Sequence, residues 1–541
     1  MRKRYHQLFL ILTLLLALGL RFYQLGINPP SLDWDEVALG YNAYSILKTG
    51  RDEYGVRLPI TFRSFDDYKP PVYVYLTIPS VAVFGLNDWA VRLPSAVLGA
   101  LTVLMMYFLV KELLGSPFLA LVAMFFLAIS PWHLQFSRVA FETNIALSFT
   151  VFGAWAFLKG LKRGRFLILS VLFFGFALYS YHSARIFVPL LGLSLVLLFR
   201  KRLIKLWKYC LLAAILGIII ILPLVKIMTS IEGRMRFKGV SAFSDPAILT
   251  RSINKIIEDQ EIGLPGGRFI HNRRLVYARA ALEGYLYHFN LNWLFLKSDL
   301  HRHHAPGVGL LYFWELPFIL AGIYFLLKNK PKFYQVVFLW LLFAPVPAAP
   351  TTQLPHAVRT FNMVIPVHIL TAYGFLELMS SVKYQVSGKI KRYLIFSFCF
   401  LFLLFNFFYY LHQYYVHMPL EWSYDWQYGR KEAVQITENL KDKYQKVVVS
   451  TELEQPHMFW LYYLKYDPVR YLSEGGTVSG GFVKTRNKFD QYEFRPIDWE
   501  KDQHKENILF VGLPEEFPGS ISTIKTIYYL NKKEAIKIVG T

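Results

Sequence analysis

Asp33, Asp35 and Glu36 fall in the run Asp-Trp-Asp-Glu at 33–36, directly after the first strongly apolar stretch of the chain. The segment they open, residues 29–71, also holds Asp52, Glu53, Asp66 and Asp67. Seven of the chain's 37 acidic residues thus occupy 43 positions of a protein with formal net charge +22. Lys69 ends the segment before a Pro-Pro pair, and more polar groups recur between later apolar stretches. They are Ser137, Arg138 and Glu142; Tyr179, Tyr181, His182 and Arg185; His301, Arg302, His303 and His304; and Pro355, His356 and Arg359. A carboxylate beside cations suits transfer of a phosphate-activated group to a hydroxyl. The carboxylate takes the proton of the attacking hydroxyl, and the cations stabilise charge growing on the departing phosphate. Arginine is suited to phosphate because its planar fork donates in pairs.

Each of these residues also has a purely structural role open to it. Asp35 and Glu36 fit a helix N-terminus, where the dipole favours acids, and Asp33 fits the N-cap position. Lys69 fits a snorkelling lysine beside an interfacial helix. Arg138 and Glu142 are spaced as an i,i+4 pair, and Arg185 and Arg359 fit anchors at the ends of membrane spans. A short His cluster such as 301–304 in a polar loop is usually solvated. No fixed Cys or carboxylate spacing supports a metal there, or at His182 and His356. No metal ligand is therefore assigned and no cofactor is identified with certainty; whether a divalent metal is needed, with Glu142 orienting it, stays open.

The elements that must position these groups follow from composition. The 541 residues are 54% hydrophobic and 17% aromatic, a balance that excludes a disordered or ordinary soluble chain. Apolar runs recur at the length that crosses a bilayer. The basic residues alternate with them in the positive-inside pattern, which argues against a nucleic-acid partner. Leu8–Leu20 reads as a retained signal anchor behind Arg2, Lys3 and Arg4, without a small-residue cleavage site. Further spans are predicted at about 93–110, 117–129, 144–157, 166–178, 186–198, 209–224, 310–327, 336–349, 361–378 and 393–411. That makes about eleven, with the N-terminus cytoplasmic and the chemistry-bearing loops outside. Val72–Phe84 is short and carries Pro79, and is predicted to lie along the outer surface; counted as a span it would place the loops of Lys162 and Lys201 outside. Residues 26–90 form the first outer loop and 226–309 a long outer loop. Cys210 and Cys399 both lie in apolar spans and imply no disulfide framework.

After residue 411 the character changes. Glu432–Tyr444 has helical periodicity, and 446–450, 507–512, 524–529 and 535–539 read as strands. A small extracytoplasmic α/β domain is expected over 412–541, beyond a transmembrane domain over 1–411.

Three motifs in order resemble the GT-C fold glycosyltransferases. They are Asp-Trp-Asp-Glu-Val-Ala-Leu-Gly-Tyr-Asn-Ala at 33–43, Tyr-Lys-Pro-Pro-Val-Tyr-Val-Tyr-Leu at 68–76 and Trp-Ala-Val-Arg-Leu-Pro-Ser-Ala at 89–96. The branch is similar to bacterial relatives of the protein O-mannosyltransferases and lipid A aminoarabinose transferases. Ser-Arg-x-x-x-Glu at 137–142 resembles the acidic motif of their second outer loop, and 179–185 and 355–359 also look like motifs of the group. The resemblance covers about residues 1–410. It implies Asp35 as the base, with Glu36 beside it, and Lys69 near the donor phosphate. Arg138, Arg185 and Arg359 are further candidates for that phosphate. Asp33, Tyr68, Tyr181, His182 and His356 are candidates to contact substrate. Glu142 stands where Asp is common, and Tyr68 where aminoarabinose transferases carry an acid, which argues against lipid A modification. The expected activity is inverting transfer from a polyprenyl-phosphate sugar to a protein, lipid or polysaccharide hydroxyl at the outer face of a bacterial cell membrane. The rival is a transporter or flippase of lipid-linked sugars. It would call for internal repeats and ionisable residues near the bilayer midplane, and neither is visible.

Overall fold

The computed structural model describes residues 3–65, 67–230, 239, 241–385, 387–480 and 487–541. Arg2 of the N-terminal basic cluster and Asp66 of the acidic segment lie outside the described residues. The chain divides into two compact units. One comprises residues 1–18, 99–135 and 143–409; the other comprises 19–98, 136–142 and 410–541.

Helix occupies each of the eleven apolar stretches. Five helices are long and apolar enough to cross a membrane alone: Arg4–Phe22, Asp88–Leu114, Trp207–Thr229, Phe361–Lys383 and Lys389–Trp422. A sixth candidate is the bent pair Pro117–Ile129 and Pro131–Ser137, which turns by 61°. Helices such as Arg165–Leu178 and Tyr334–Phe343 have 14 and 10 residues. At about 1.5 Å per residue they fall short of a hydrocarbon core about 30 Å thick. In Trp207–Thr229 only 11% of the apolar window is buried, and in Lys389–Trp422 only 6%. Apolar side chains exposed over that length are stable in lipid and not in water, so the architecture is that of an integral membrane protein.

In the first unit the helix Glu315–Asn329 lies along Val364–Gln385, which also packs on Pro117–Ile129. A Cβ added at Gly322 would stand 2.1 Å from the Leu370 carbonyl oxygen, and one at Gly374 1.9 Å from that of Phe318. Backbones this close gain van der Waals contact, which drives helix association where lipid removes the hydrophobic term.

The second unit is built around the helix Trp34–Thr49, which packs against Val72–Phe84, Pro456–Tyr463 and Pro468–Ser473. Val37, Tyr41 and Ala43 are fully buried. Gly40 lets the helix approach the Val91 side chain and the Tyr462 ring, each of which a Cβ would meet at under 3 Å. Before the helix Val72–Phe84, the strands β1 (Phe62–Ser64) and β2 (Asp67–Lys69) form an antiparallel hairpin. The C-terminal residues form a six-stranded mixed sheet. Its strands are β3 (Lys446–Val449), β4 (Lys488–Phe489), β5 (Tyr492–Phe494), β6 (Ile508–Gly512), β7 (Lys525–Tyr528) and β8 (Glu534–Gly540). Their order is β4-β5-β3-β6-β8-β7, with β3 parallel to both neighbours. Val447, Val448 and Val449 are all fully buried, the unbroken apolar run of a central strand covered on both faces. Val448, Phe510, Phe517 and Val539 form the core on one side. The four predicted strands are present; β4 and β5 are too short to carry a periodic signal.

Candidate active site

The helix Trp34–Thr49 starts with a capping box. The Asp33 carboxylate accepts from Glu36 N at 2.9 Å, and Glu36 Oε2 accepts from Asp33 N at 3.3 Å. Asp33, a candidate for substrate contact, is fully buried and caps the helix. The box leaves Asp35 as the second residue of the helix, pointing away from the cap. Its carboxylate is 41% exposed and pairs with the Lys69 ammonium, itself only 10% exposed. Lys69 is placed by β2, where it pairs across the hairpin with Phe62, and Pro70-Pro71 ends the strand there because proline has no N–H for the ladder. Burial alone would lower the Lys69 ammonium, but Asp35, then Glu142 and Asp33, raise it above its usual value. Lys69 is thus a buried, charged lysine whose partner is partly exposed.

Glu36 does different work from its neighbour. Expected among the catalytic acids, it is fully buried in a two-pronged pair with Arg92: Nε to Oε1 and Nη2 to Oε2, both 2.9 Å. Oε1 also accepts the Ala140 N–H at 2.8 Å. A carboxylate so fully engaged has no free lone pair for an incoming proton. What it does is hold the 138–141 turn, through Ala140 two residues before Glu142, to the helix N-terminus. Glu142 is half-buried and close enough to Lys69 to act on its charge.

Arg138, expected at the donor phosphate, is likewise enclosed by protein. It is buried and donates to the carbonyls of Leu20, Arg21 and Asn28 and to the Tyr414 hydroxyl. Its guanidinium also lies 5.3 Å from the centroids of the Tyr414 and Tyr415 rings. Four directed bonds and two ring contacts hold its guanidinium in place. Tyr68 is half-buried beside Lys69 in β2.

The remaining candidates belong to the other unit. Tyr181 is buried beside the His182 ring, and Arg185 donates to His182 Nδ1 at 3.1 Å and to the Leu178 carbonyl. Arg359 donates to Thr351 Oγ1 and the Thr352 carbonyl, both at 2.6 Å. His356 joins Asp299 and His303: one donor atom from each lies within 4.8 Å of the other two. Burial, with His303 and Arg359 nearby, pushes the His356 imidazole well below its usual value. Burial alone would raise Asp299, but His303, then His356 and the Ala357 N–H, hold it well below the carboxylate range.

Arg92 and Asp299 carry roles that sequence reasoning did not assign. Arg92 had a signal, since an arginine inside an apolar helix is stable only with a buried acid. Asp299 had a weaker one, an acid four residues before His303.

Residues 68–226 match the dolichyl-phosphate-mannose-protein mannosyltransferase family. A stretch of 106 residues is 31% identical to the putative mannosyltransferase YkcB of Bacillus subtilis (strain 168), covering 20% of this chain and 15% of that protein. The fold is similar to ArnT from Cupriavidus metallidurans bound to undecaprenyl phosphate, with TM-score 0.54 and 12% identity over 99% of this chain and 98% of that one. It is also similar to the Archaeoglobus fulgidus oligosaccharyltransferase tethered with an acceptor peptide, with TM-score 0.51 and 16% identity over 85% of this chain. The chain spans 63% of that oligosaccharyltransferase. The GT-C resemblance read from the motifs is thereby borne out at the level of the fold.

Proposed function

We propose that the protein is an integral membrane glycosyltransferase. It moves a sugar from a polyprenyl-phosphate donor to a hydroxyl of a protein, lipid or polysaccharide acceptor outside the membrane. The observation that carries the reading is the half-exposed Asp35 carboxylate fixed by a buried, charged Lys69. Of the three acids at 33–36, it alone has a carboxylate not enclosed by protein. Binding of undecaprenyl phosphate by the ArnT of similar fold, and the family match over 68–226, support the lipid-linked donor.

In this reading Asp35 takes the proton from the acceptor hydroxyl as its oxygen attacks the anomeric carbon. The bond from that carbon to the phosphate oxygen breaks in the same displacement, which inverts the centre. Lys69 stabilises the charge gathering on the leaving polyprenyl phosphate. Glu142 orients the acceptor, Glu36 positions the loop that carries Glu142, and Arg185 and Arg359 remain candidates for lipid-phosphate contact. The proposed topology has about eleven spans, the N-terminus in the cytoplasm, and the loop of Asp35 and the residues after 411 outside.

The test is sugar transfer from a panel of polyprenyl-phosphate sugars in membranes holding wild type or Asp35→Asn. Loss of a general base predicts a fall of about 10²–10⁴-fold per folded molecule, with the protein still folded and its membrane level kept. Full activity in the variant would remove Asp35 from the chemistry. Movement of lipid-linked sugar between leaflets without transfer would replace the enzyme by a flippase.

A further inference from the structure

The Asp299, His303 and His356 cluster is not used by the transfer reading. Its composition is unlike that of a solvated surface group. The His303 and Asp299 side chains are 6% and 9% exposed, and His356 is 9% exposed. Asp299 Oδ1 lies 3.0 Å from His303 Nδ1, and the His303 and His356 rings have centroids 5.3 Å apart. A second feature points to a missing ligand. His356 Nδ1 is buried and has no hydrogen-bond partner among the described residues. Buried polar atoms are ordinarily satisfied, and an orphan of this kind calls for an unseen water or ion.

The surroundings hold the cluster in place. Asp299 Oδ2 accepts the Ala357 N–H at 2.6 Å, next to His356. The backbone N–H of His356 donates to His288 Nε2 at 3.2 Å, and His288 Nδ1 donates to the Gly284 carbonyl at 2.8 Å. Fixing ligands through partners of this kind is what tunes metal sites.

We infer that Asp299, His303 and His356 form a site for a divalent transition-metal ion of the zinc class. Two imidazoles and one carboxylate are the donor set of three-ligand zinc sites, which keep a fourth position for water or an anionic oxygen. The oxygen-only preference of Mg²⁺ and Ca²⁺ disfavours those ions. Ligand atoms around tetrahedral zinc stand about 3.4 Å apart, given bonds of about 2.1 Å. Donor atoms already within 4.8 Å reach that spacing by small side-chain rotations, with the backbone left in place.

The experiment uses the full chain in detergent, stripped with chelator and reloaded with Zn²⁺ or Co²⁺ alone. A single bound ion per chain is expected by elemental analysis, with the visible absorption of tetrahedral cobalt and a rise in Tm on loading. His303→Ala and His356→Ala should each weaken binding by at least about a hundredfold, whereas His301→Ala should not. His303→Cys should restore binding, since a thiolate is also a zinc ligand. Where an alanine variant does not fold, Asp299→Asn carries the same expectation with little change of shape. Absence of stoichiometric metal in wild type, or equal binding by the His303 and His356 variants, would overturn the site. Asp35→Asn is expected to load metal as wild type does, so failure here and failure of the transfer reading are separate results.

Discussion

At the scale of single residues, exposure separates acids that the sequence presents as equals. Asp33, Asp35 and Glu36 are neighbours in a four-residue run, yet only Asp35 has a carboxylate left open. Glu36 is taken by Arg92, Asp33 N and Ala140 N. Removing one partner of such a pair leaves an uncompensated buried charge, at a cost of about 3–5 kcal/mol. Glu36→Gln should therefore lower the Tm in detergent and the amount of folded protein, and activity should fall with the folded fraction. Glu36→Gln combined with Arg92→Met should cost less than the sum of the two single changes, because the double variant leaves no lone charge. Strict additivity would show that the two side chains do not share their energy. Asp35→Asn should cost less stability than Glu36→Gln, because the Asp35 carboxylate is partly exposed and Glu142 and Asp33 still act on the Lys69 charge, while transfer is lost.

At the scale of elements, the helix Trp34–Thr49 is joined to the C-terminal residues through a buried acid just beyond its end. Glu53 is 2% exposed; it accepts from Asn42 Nδ2 at 3.0 Å and from Thr477 Oγ1 at 2.7 Å. Burial raises its carboxyl from 4.5 to about 7, against the lowering effect of those two bonds. Between these values the folded chain keeps a proton that the unfolded chain has released. Stability therefore falls as pH rises through that window, and the loss is complete above it. The total is about 3 kcal/mol for a shift of this size. Glu53→Gln keeps the shape and removes the titration, so the wild-type Tm should fall between about pH 5 and pH 8 relative to the variant. Parallel curves would mean that Glu53 titrates alike in both states.

At the scale of the whole molecule, orientation in the membrane is the testable property. The Cys210→Ser, Cys399→Ser background gives a chain without thiols. Single cysteines placed at Lys162 or Lys201 should resist a membrane-impermeant maleimide on intact cells and react after lysis. One placed at Lys465, on the C-terminal segment, should react on intact cells. The reverse pattern would invert the topology and put Asp35 in the cytoplasm. The division of the chain also appears only at this scale. Composition changes after residue 411, but residues 410–541 form one compact unit with 19–98 and 136–142. Tyr41 donates to the Tyr466 carbonyl, and Glu53 meets Thr477, across more than 400 residues of chain.

Local chemistry made much of this legible in advance. Helix occupies each of the apolar runs read from the sequence because hydrophobic length is a property of consecutive residues. Asp33 reads from its position equally as an N-cap or a substrate contact, and the valine run within 446–450 reads as a strand. Asp35 and Lys69 stood out because their motifs are contiguous. The partners of buried charges could not be read in the same way. Glu36 with Arg92 and Arg138 with the carbonyls of Leu20, Arg21 and Asn28 join residues 56 to 118 positions apart. Asp299 with His356 joins two separate loops. Such pairings are chosen by which segments pack together, because an ion out of water is stable only beside a partner, and no spacing along the chain records which partner packing will supply.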